Sequence, residues 1–283
     1  MRVDLHLHTN ASDGQFTPSE LVNLARKYSL DVIAITDHDT TDGIREAQEA
    51  SSVTGTPLVI PGIELSAEDT AGDVHVLGYY VDLGSTHFEE RIASFRADRY
   101  SRGQRILQRL AAMGMPLQWE RVLAIAEDGS IGRPHIARAL VEAGYVESVR
   151  DAFDRYLYND GPAYVPRARL SPEEAVALIH SAAGVAVLAH PGLLPDYAAI
   201  VRRLAPVGLD GVEVVHPSNS EKVRLNLRAL AQEYRLIMTG GTDYHGPDVK
   251  EHVTLGSVTP PEGCVAALRA RAQQRRREMG YSV

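Results

Sequence analysis

Cysteine is almost absent from this 283-residue chain: Cys264 stands alone. One cysteine excludes an internal disulfide and any thiolate-rich zinc site. No apolar run approaches the roughly 20 residues that a membrane span needs, so no membrane partner is expected. Basic residues are in deficit, with a formal net charge of −8. A general duplex-DNA binder normally shows a basic patch, so duplex DNA is not expected as a partner. A carboxylate-rich pocket filled with divalent ions has its local sign inverted, however, and attracts anions. The most basic run, "RAQQRRREMG", reads as the solvated face of a last helix. The chain shows no internal repeat, no low-complexity segment and no signal peptide, and a cytoplasmic location is the expectation.

Seven short apolar runs read as strands: "RVDLHLH", "DVIAITDH", "PLVIPGIEL", "DVHVLGYYV", "GVAVLAH", "GVEVVH" and "LIMTGGTD". Several are nearly continuous in Val, Ile, Leu and Ala, as in strands covered on both sides by helices. Helical patterns such as "TPSELVNLARKYS" and "SEKVRLNLRALAQEY" separate most of them, which indicates parallel β/α units. Between the third and fourth runs only "SAEDTAG" intervenes. A parallel crossover needs a dozen or more residues, so these two strands are expected to form an antiparallel hairpin. Residues 85–170 have helical periodicity and little strand character, and read as an inserted helical subdomain. The β/α pattern resumes at "SPEEAVALIHSAAG", where Ser171, Pro172 and Glu174 make a capping box. The division is therefore residues 1–84 and 171–283 for the barrel, and 85–170 for the insertion.

In the opening strand strict alternation points Val3, Leu5 and Leu7 one way and Asp4, His6 and His8 the other. His6 and His8 are then about 7 Å apart along one face. Imidazoles and carboxylates recur at the other strand ends. "TDHD" carries His38 between Asp37 and Asp39, "GIELS" carries Glu64, "LAHPG" carries His190, and "GGTDYHG" carries Asp243 and His245. In barrels of parallel strands these C-terminal ends form the active-site face. If the fourth strand is reversed, its beginning reaches the same end, and His75 lies there. With Asp13, the candidate ligands are His6, His8, Asp13, His38, Glu64, His75, His190, Asp243 and His245. They are too many for one ion and suit two or three divalent ions of the Mn, Fe, Zn or Mg type. His216, at the end of the sixth strand, reads as a pocket residue contacting substrate or ligands. Asp37 and Asp39 are expected to orient His38 or cap the next helix. His180 reads as an ordinary helix residue, and His87 and His252 as exposed residues in polar connections.

Through "DLHLHT" followed by "SDG", then "TDHD", "GIELS", "VHVLGY", "LAHP" and "GTDYH", the chain resembles the polymerase-and-histidinol-phosphatase (PHP) superfamily of metal-dependent phosphoesterases. The resemblance implies an α/β fold, a distorted TIM-like barrel of seven β/α units, with a trinuclear centre at its C-terminal face. It assigns His6, His8, Glu64 and Asp243 to a first ion, and Asp13, His38 and His245 to a second. His75 and His190 hold a third, with Glu64 bridging. It gives the catalytic work to Asp13, His38, Glu64, His190, Asp243 and His245, with Mn²⁺ foremost and a hydroxide bridging two ions as nucleophile. Many relatives carry histidine where this chain has Asp13.

"GRPHIARALVEAG" and "DAFDRYL…GPAYVP" are similar to a branch that removes phosphate from nucleoside 3′,5′-bisphosphates and trims short RNA from its 5′ end. "GRPH" puts Arg133 and His135 at a helix start, where free N–H groups and a guanidinium fork suit a second phosphate. Where some relatives carry a basic residue before "GPAYV", this chain has Asn159 and Asp160, leading into Gly161. The expected substrate is a nucleotide or a short single-stranded RNA end. The rival readings are a histidinol phosphate phosphatase, an amidohydrolase and a non-catalytic metal-binding module.

Overall fold

A computed structural model of the chain describes residues 1–69, 72–126, 129–166, 170–247, 249 and 252–281. All seven expected strands form: β1 (Val3–Leu7), β2 (Val32–Ile35), β3 (Leu58–Asp69), β4 (Gly72–Tyr79), β5 (Val185–Leu188), β6 (Gly211–Val215) and β7 (Ile237–Gly240). They lie in sequence order in one sheet. The sheet comes close to closing through a parallel bridge between Leu7 and Tyr244, with His8 N–H donating to the Tyr244 carbonyl at 3.0 Å.

The β1–β2–β3 and β5–β6–β7 pairings are parallel, while β4 runs antiparallel to both β3 and β5. The expected hairpin therefore forms, although its turn residues Thr70 and Ala71 lie outside the described residues. Its register sets His75 opposite Ser66, two residues beyond Glu64. Side chains two apart share a face, so His75 reaches the same end of the barrel as Glu64.

Five helices cover the outside: α1 (Pro18–Lys27), α2 (Asp42–Ser52), α7 (Pro172–Ser181), α8 (Tyr197–Leu204) and α9 (Glu221–Tyr234). The α1 start is a capping box of Thr17 and Glu20, and α7 starts with the expected box of Ser171 and Glu174. Ile33 and Ile35 pack outward on Leu21, Val22 and Ile44, while Val74, Val76, Leu188 and Val212 pack outward on Val176, Ile179 and Val201. Inward residues Val32, Ala34, Ile60, Leu77 and Val187 form a separate core. It is closed at the far end from the histidines by Val265 and Leu268 of the last helix, α10 (Cys264–Glu278).

The expected solvated basic run is helical, but two of its arginines turn inward. Arg271 and Arg275 both donate to the buried carboxylate of Asp210, at 2.7 and 2.8 Å. The same carboxylate receives His180 Nε2 at 3.0 Å and the Ala186 N–H at 2.9 Å, tying α7, β5, β6 and α10 together.

Between β4 and β5 the described chain is helical: α3 (Thr86–Ala112), α4 (Trp119–Ala126), α5 (Arg133–Glu142) and the short α6 (Val149–Ala152), which continues as a π-turn over Phe153–Leu157. Ile106, Leu110, Val122, Ile136, Leu140 and Leu157 share an apolar cluster distinct from the barrel's. Phe88 and Ile92, in the first turns of α3, pack instead with the barrel's outer layer. One helix thus belongs to both cores. His87 is exposed, but it lies in the first turn of α3 rather than in a connection.

Strict alternation fails in β1. Asp4 pairs with Ile33, but Leu7 pairs with Ile35, so three residues of β1 span two of β2. This bulge leaves Val3 and Leu5 in the interior core and sends Leu7 outward among Leu21, Ile33 and Ile35. The three apolar residues do not share a face. The bulge re-aims His6 and His8, which meet with ring centroids 5.2 Å apart.

Candidate metal centre

All nine candidate ligands come together at the C-terminal end of the barrel. Glu64, fully buried, is the hub. Its Oε2 lies 3.3 Å from His6 Nε2, 3.2 Å from His8 Nε2 and 3.1 Å from His38 Nδ1. Its Oε1 lies 2.9 Å from both His75 Nδ1 and His190 Nε2. Asp243 Oδ1 approaches the same His6 and His8 nitrogens at 3.5 and 3.3 Å. On the other side Asp13 sits 3.3 Å from His245 Nε2, 3.9 Å from His38 Nε2 and 3.8 Å from His8 Nδ1.

These contacts resolve into donor sets with ligand atoms all within 4.8 Å of one another. One is His6, His8, Glu64 and Asp243; a second is His8, Asp13, His38 and His245; a third is His38, Glu64 and His75. His190 Nε2 borders the third set, 3.2 Å from His75 Nδ1. The residues fit divalent cations. His6 Nε2, His8 Nε2, His38 Nδ1 and Glu64 Oε2 are buried and make no hydrogen bond, which is costly for polar atoms unless a cation takes the lone pair. Imidazole and carboxylate donors without thiolate suit Mn, Fe, Zn or Mg.

The electrostatics are mutual. Burial alone would raise the Glu64 carboxyl, but the imidazoles of His38, His6 and His75 hold it well below its ordinary range. Asp13 is likewise held low against burial by His245 and His38. His6 is held well above the ordinary imidazole range: Glu213, Glu64 and Asp243 outweigh its burial.

Three carboxylates that strand patterning did not place in the centre hold it in shape. Glu213, in β6, accepts from His6 Nδ1 at 3.1 Å and from the His190 N–H at 2.7 Å. His190 needs such an anchor, since its φ of 28° is sparsely populated by non-glycine residues. Asp4 accepts from the N–H and hydroxyl of Thr242, at 2.9 and 2.7 Å, and so fixes the segment leading to Asp243. Gly241 lies against β1 there; a Cβ on it would sit 2.3 Å from that of His6. Asp37 does not orient His38. It receives the N–H and hydroxyl of Thr9, both at 2.7 Å, and the hydroxyl of Ser12 at 2.6 Å, so it pins the loop that carries Asp13. Burial raises its carboxyl to about 6 even so. Asp39 takes Arg99 Nε at 2.7 Å and the Ser66 N–H at 2.8 Å, and Thr41 is the residue at the α2 N-cap. A carboxylate at an inward position of an otherwise apolar strand, as in "GVEVV", was the available signal for Glu213.

At the rim, the helical segment meets the centre. Ser130 N–H donates to the Ala11 carbonyl at 2.9 Å. Arg133, at the first position of α5, donates to Asp73 Oδ2 at 2.7 Å, Asn159 Oδ1 at 2.8 Å and the Leu157 carbonyl at 3.0 Å. His135 is buried, its Nδ1 accepts the Gly132 N–H at 3.0 Å, and burial lowers its imidazole to about 4. It faces a cavity of about 180 Å³ lined also by Ser12, Gln15 and Arg138.

The chain is similar to known proteins along most of its length. The PHP domain model matches residues 4–160. The 5′-3′ exoribonuclease Rnm of Salmonella typhimurium is 37% identical over 249 residues, covering 86% of this chain and 85% of that one. The 3′,5′-nucleoside bisphosphate phosphatase of Chromobacterium violaceum is 32% identical over 250 residues, 87% of each chain. A solved structure from Bifidobacterium adolescentis, described as a candidate metal-dependent phosphoesterase, superposes with a TM-score of 0.86 at 38% identity over 95% of this chain and 96% of that one. The chain belongs to the PHP-domain family of metal-dependent phosphoesterases.

Proposed function

We propose that this enzyme removes the 3′-phosphate of nucleoside 3′,5′-bisphosphates, such as adenosine 3′,5′-bisphosphate, and trims short single-stranded RNA from its 5′ end. The carrying observation is a cluster of three donor sets, two of them sharing Glu64, beside a helix start that bears Arg133. The named activities of the two curated relatives, each matched over most of its length, support the nucleotide class.

In this reading His6, His8, Glu64 and Asp243 hold a first ion, Asp13, His38 and His245 a second, and His75, His190 and Glu64 a third, with Mn²⁺ the proposed metal. Divalent ions there supply a nucleophile at neutral pH and neutralise charge on the phosphoryl oxygens. The helical segment, residues 85–170, acts as the substrate-binding subdomain. Arg133 and His135 meet the substrate's other phosphate at the α5 N-terminus, so that remote binding energy orients the scissile group. The three bonds Arg133 makes leave two of the five guanidinium N–H groups for that purpose. The Asp73 and Asn159 partners aim the fork. A single buried cysteine and a nucleotide substrate fit a cytoplasmic enzyme. Among the described residues no helix is long and apolar enough to cross a membrane.

The test is phosphate release by the Mn²⁺-loaded protein from adenosine 3′,5′-bisphosphate and from histidinol phosphate. The bisphosphate is expected to react faster; the reverse order overturns the substrate class.

A further inference from the structure

Beyond β6 the chain turns through His216, Pro217, Ser218 and Asn219, and this turn is held from several sides. The Asn219 amide donates to the carbonyls of Glu213 and Val214, both at 3.0 Å, and accepts the Gly192 N–H at 2.8 Å. A Cβ on Gly192 would lie 2.4 Å from Asn219 Oδ1, so the loops after β5 and β6 close on each other only with glycine there. Arg224 holds the His216 carbonyl at 3.1 Å.

Within this frame the imidazole of His216 has a defined proton position. Its Nδ1 accepts the Ser218 N–H at 3.1 Å and faces the Ser218 hydroxyl at 2.7 Å. A backbone N–H can only donate, so the ring proton sits on Nε2. That Nε2 is buried, makes no hydrogen bond and lies 3.5 Å from Asp243 Oδ2. The ring packs 5.6 Å from His190 and 6.2 Å from His6, centroid to centroid. Its side chain is 5% exposed, comparable with the 8% of Asp243 and 6% of His245 beside it.

His6 is set the opposite way. Glu213 can only accept, so it takes the proton on Nδ1 and turns Nε2 toward Glu64 and Asp243. His6, Glu213 and His216 do bring ligand atoms within 4.8 Å of one another. They are nevertheless poorly suited to a further ion, because Glu213 is engaged by His6 and His190 and His216 Nε2 bears a proton. The Nε2–H thus faces the centre with Asp243 Oδ2 at an ion-pair distance of 3.5 Å but makes no hydrogen bond, which leaves it able to donate to a bound anionic oxygen.

We propose that His216 is a substrate-contacting residue whose Nε2–H donates a hydrogen bond to a non-bridging oxygen of the scissile phosphoryl group, on the side of the centre bounded by His190 and Asp243. This rests on the phosphoesterase reading. The residue donates a hydrogen bond and transfers no proton, so it polarises the phosphorus without appearing in the proton balance.

The experiment compares the zinc-loaded full chain with His216→Asn and His216→Gln. Asn fills the Nδ1 position and has no donor at the reach of Nε2, whereas Gln carries an N–H close to it. Zinc content per chain, binding of inorganic phosphate by calorimetry, and histidine ¹⁵N spectra are read together. Both variants are expected to keep the wild-type zinc content. Asn should weaken phosphate binding by roughly 10- to 100-fold, Gln should restore most of it, and the wild-type spectrum should show His216 protonated on Nε2 only. Loss of zinc from either variant would make His216 a ligand and overturn the proposal. So would wild-type phosphate affinity in His216→Asn. Failure of the wild-type protein to bind phosphate at all would instead strike the phosphoesterase reading beneath it.

Discussion

His6 donates its Nδ1 proton to Glu213 at 3.1 Å, and the same carboxylate accepts the His190 backbone N–H at 2.7 Å. One buried side chain thus orients two candidate ligands, His6 of the first donor set and His190 at the border of the third. Carboxylates that hold a metal-bound histidine from behind are commonly worth 10- to 100-fold in affinity. Glu213→Gln presents an amide N–H to one of those two donors. It is expected to weaken metal binding roughly 10- to 100-fold, measured by competition with a chromophoric chelator. Unchanged affinity would reduce Glu213 to packing.

Asp37 accepts three hydrogen bonds from Thr9 and Ser12. Asp37→Asn turns one acceptor into a donor facing those groups. We expect a loss of about 2 kcal/mol of stability in denaturant unfolding of the metal-free protein, with weaker metal binding through the loosened Asp13 loop. Ser12→Ala, which removes one donor without reversing any, should cost less.

The pH dependence of stability carries a signature of His135. Its imidazole is lowered from 6.5 to about 4 by burial. Below pH 6.5 the unfolded chain takes up a proton there while the folded chain does not, so this contribution is complete above pH 6.5 and lost as the pH falls to 4. His135→Asn keeps an acceptor near the Gly132 N–H and removes the titration. Between pH 7 and pH 4 the wild type should lose roughly 3 kcal/mol more than the variant, by urea unfolding in chelator. Parallel curves would contradict the assignment.

Arg133→Ala is expected to lower turnover of adenosine 3′,5′-bisphosphate far more than that of a small aryl phosphate, by roughly tenfold or more in relative kcat/KM. Asp73→Asn, which loosens the fork while keeping the arginine, should give a smaller loss in the same direction. Equal losses on both substrates for Arg133→Ala would remove it from second-phosphate binding.

The strand pattern was legible because seven apolar runs are bounded by turn residues, and the short "SAEDTAG" connection forced the reversal that brings His75 to Glu64. The cluster of candidate ligands was legible because imidazoles and carboxylates at strand ends meet in any barrel. Alternation within β1 misplaced Leu5 and Leu7 on one face, because a bulge depends on how β1 registers against β2, and that is a tertiary fact. Asp37 was assigned to its neighbour His38, whereas it bonds Thr9 and Ser12 on another loop. Nor does sequence spacing show that Arg133 is already paired with Asp73, 60 positions away.

The most direct test titrates Mn²⁺ into chelator-stripped protein while following phosphate release from adenosine 3′,5′-bisphosphate and ions bound per chain in the same sample. Release should be absent without metal, rise as more than one ion binds, and stay abolished in Glu64→Gln, whose side chain is the hub of all the donor sets that touch it. Phosphate release that persists without metal, or that saturates at a single ion and survives Glu64→Gln, would contradict the account.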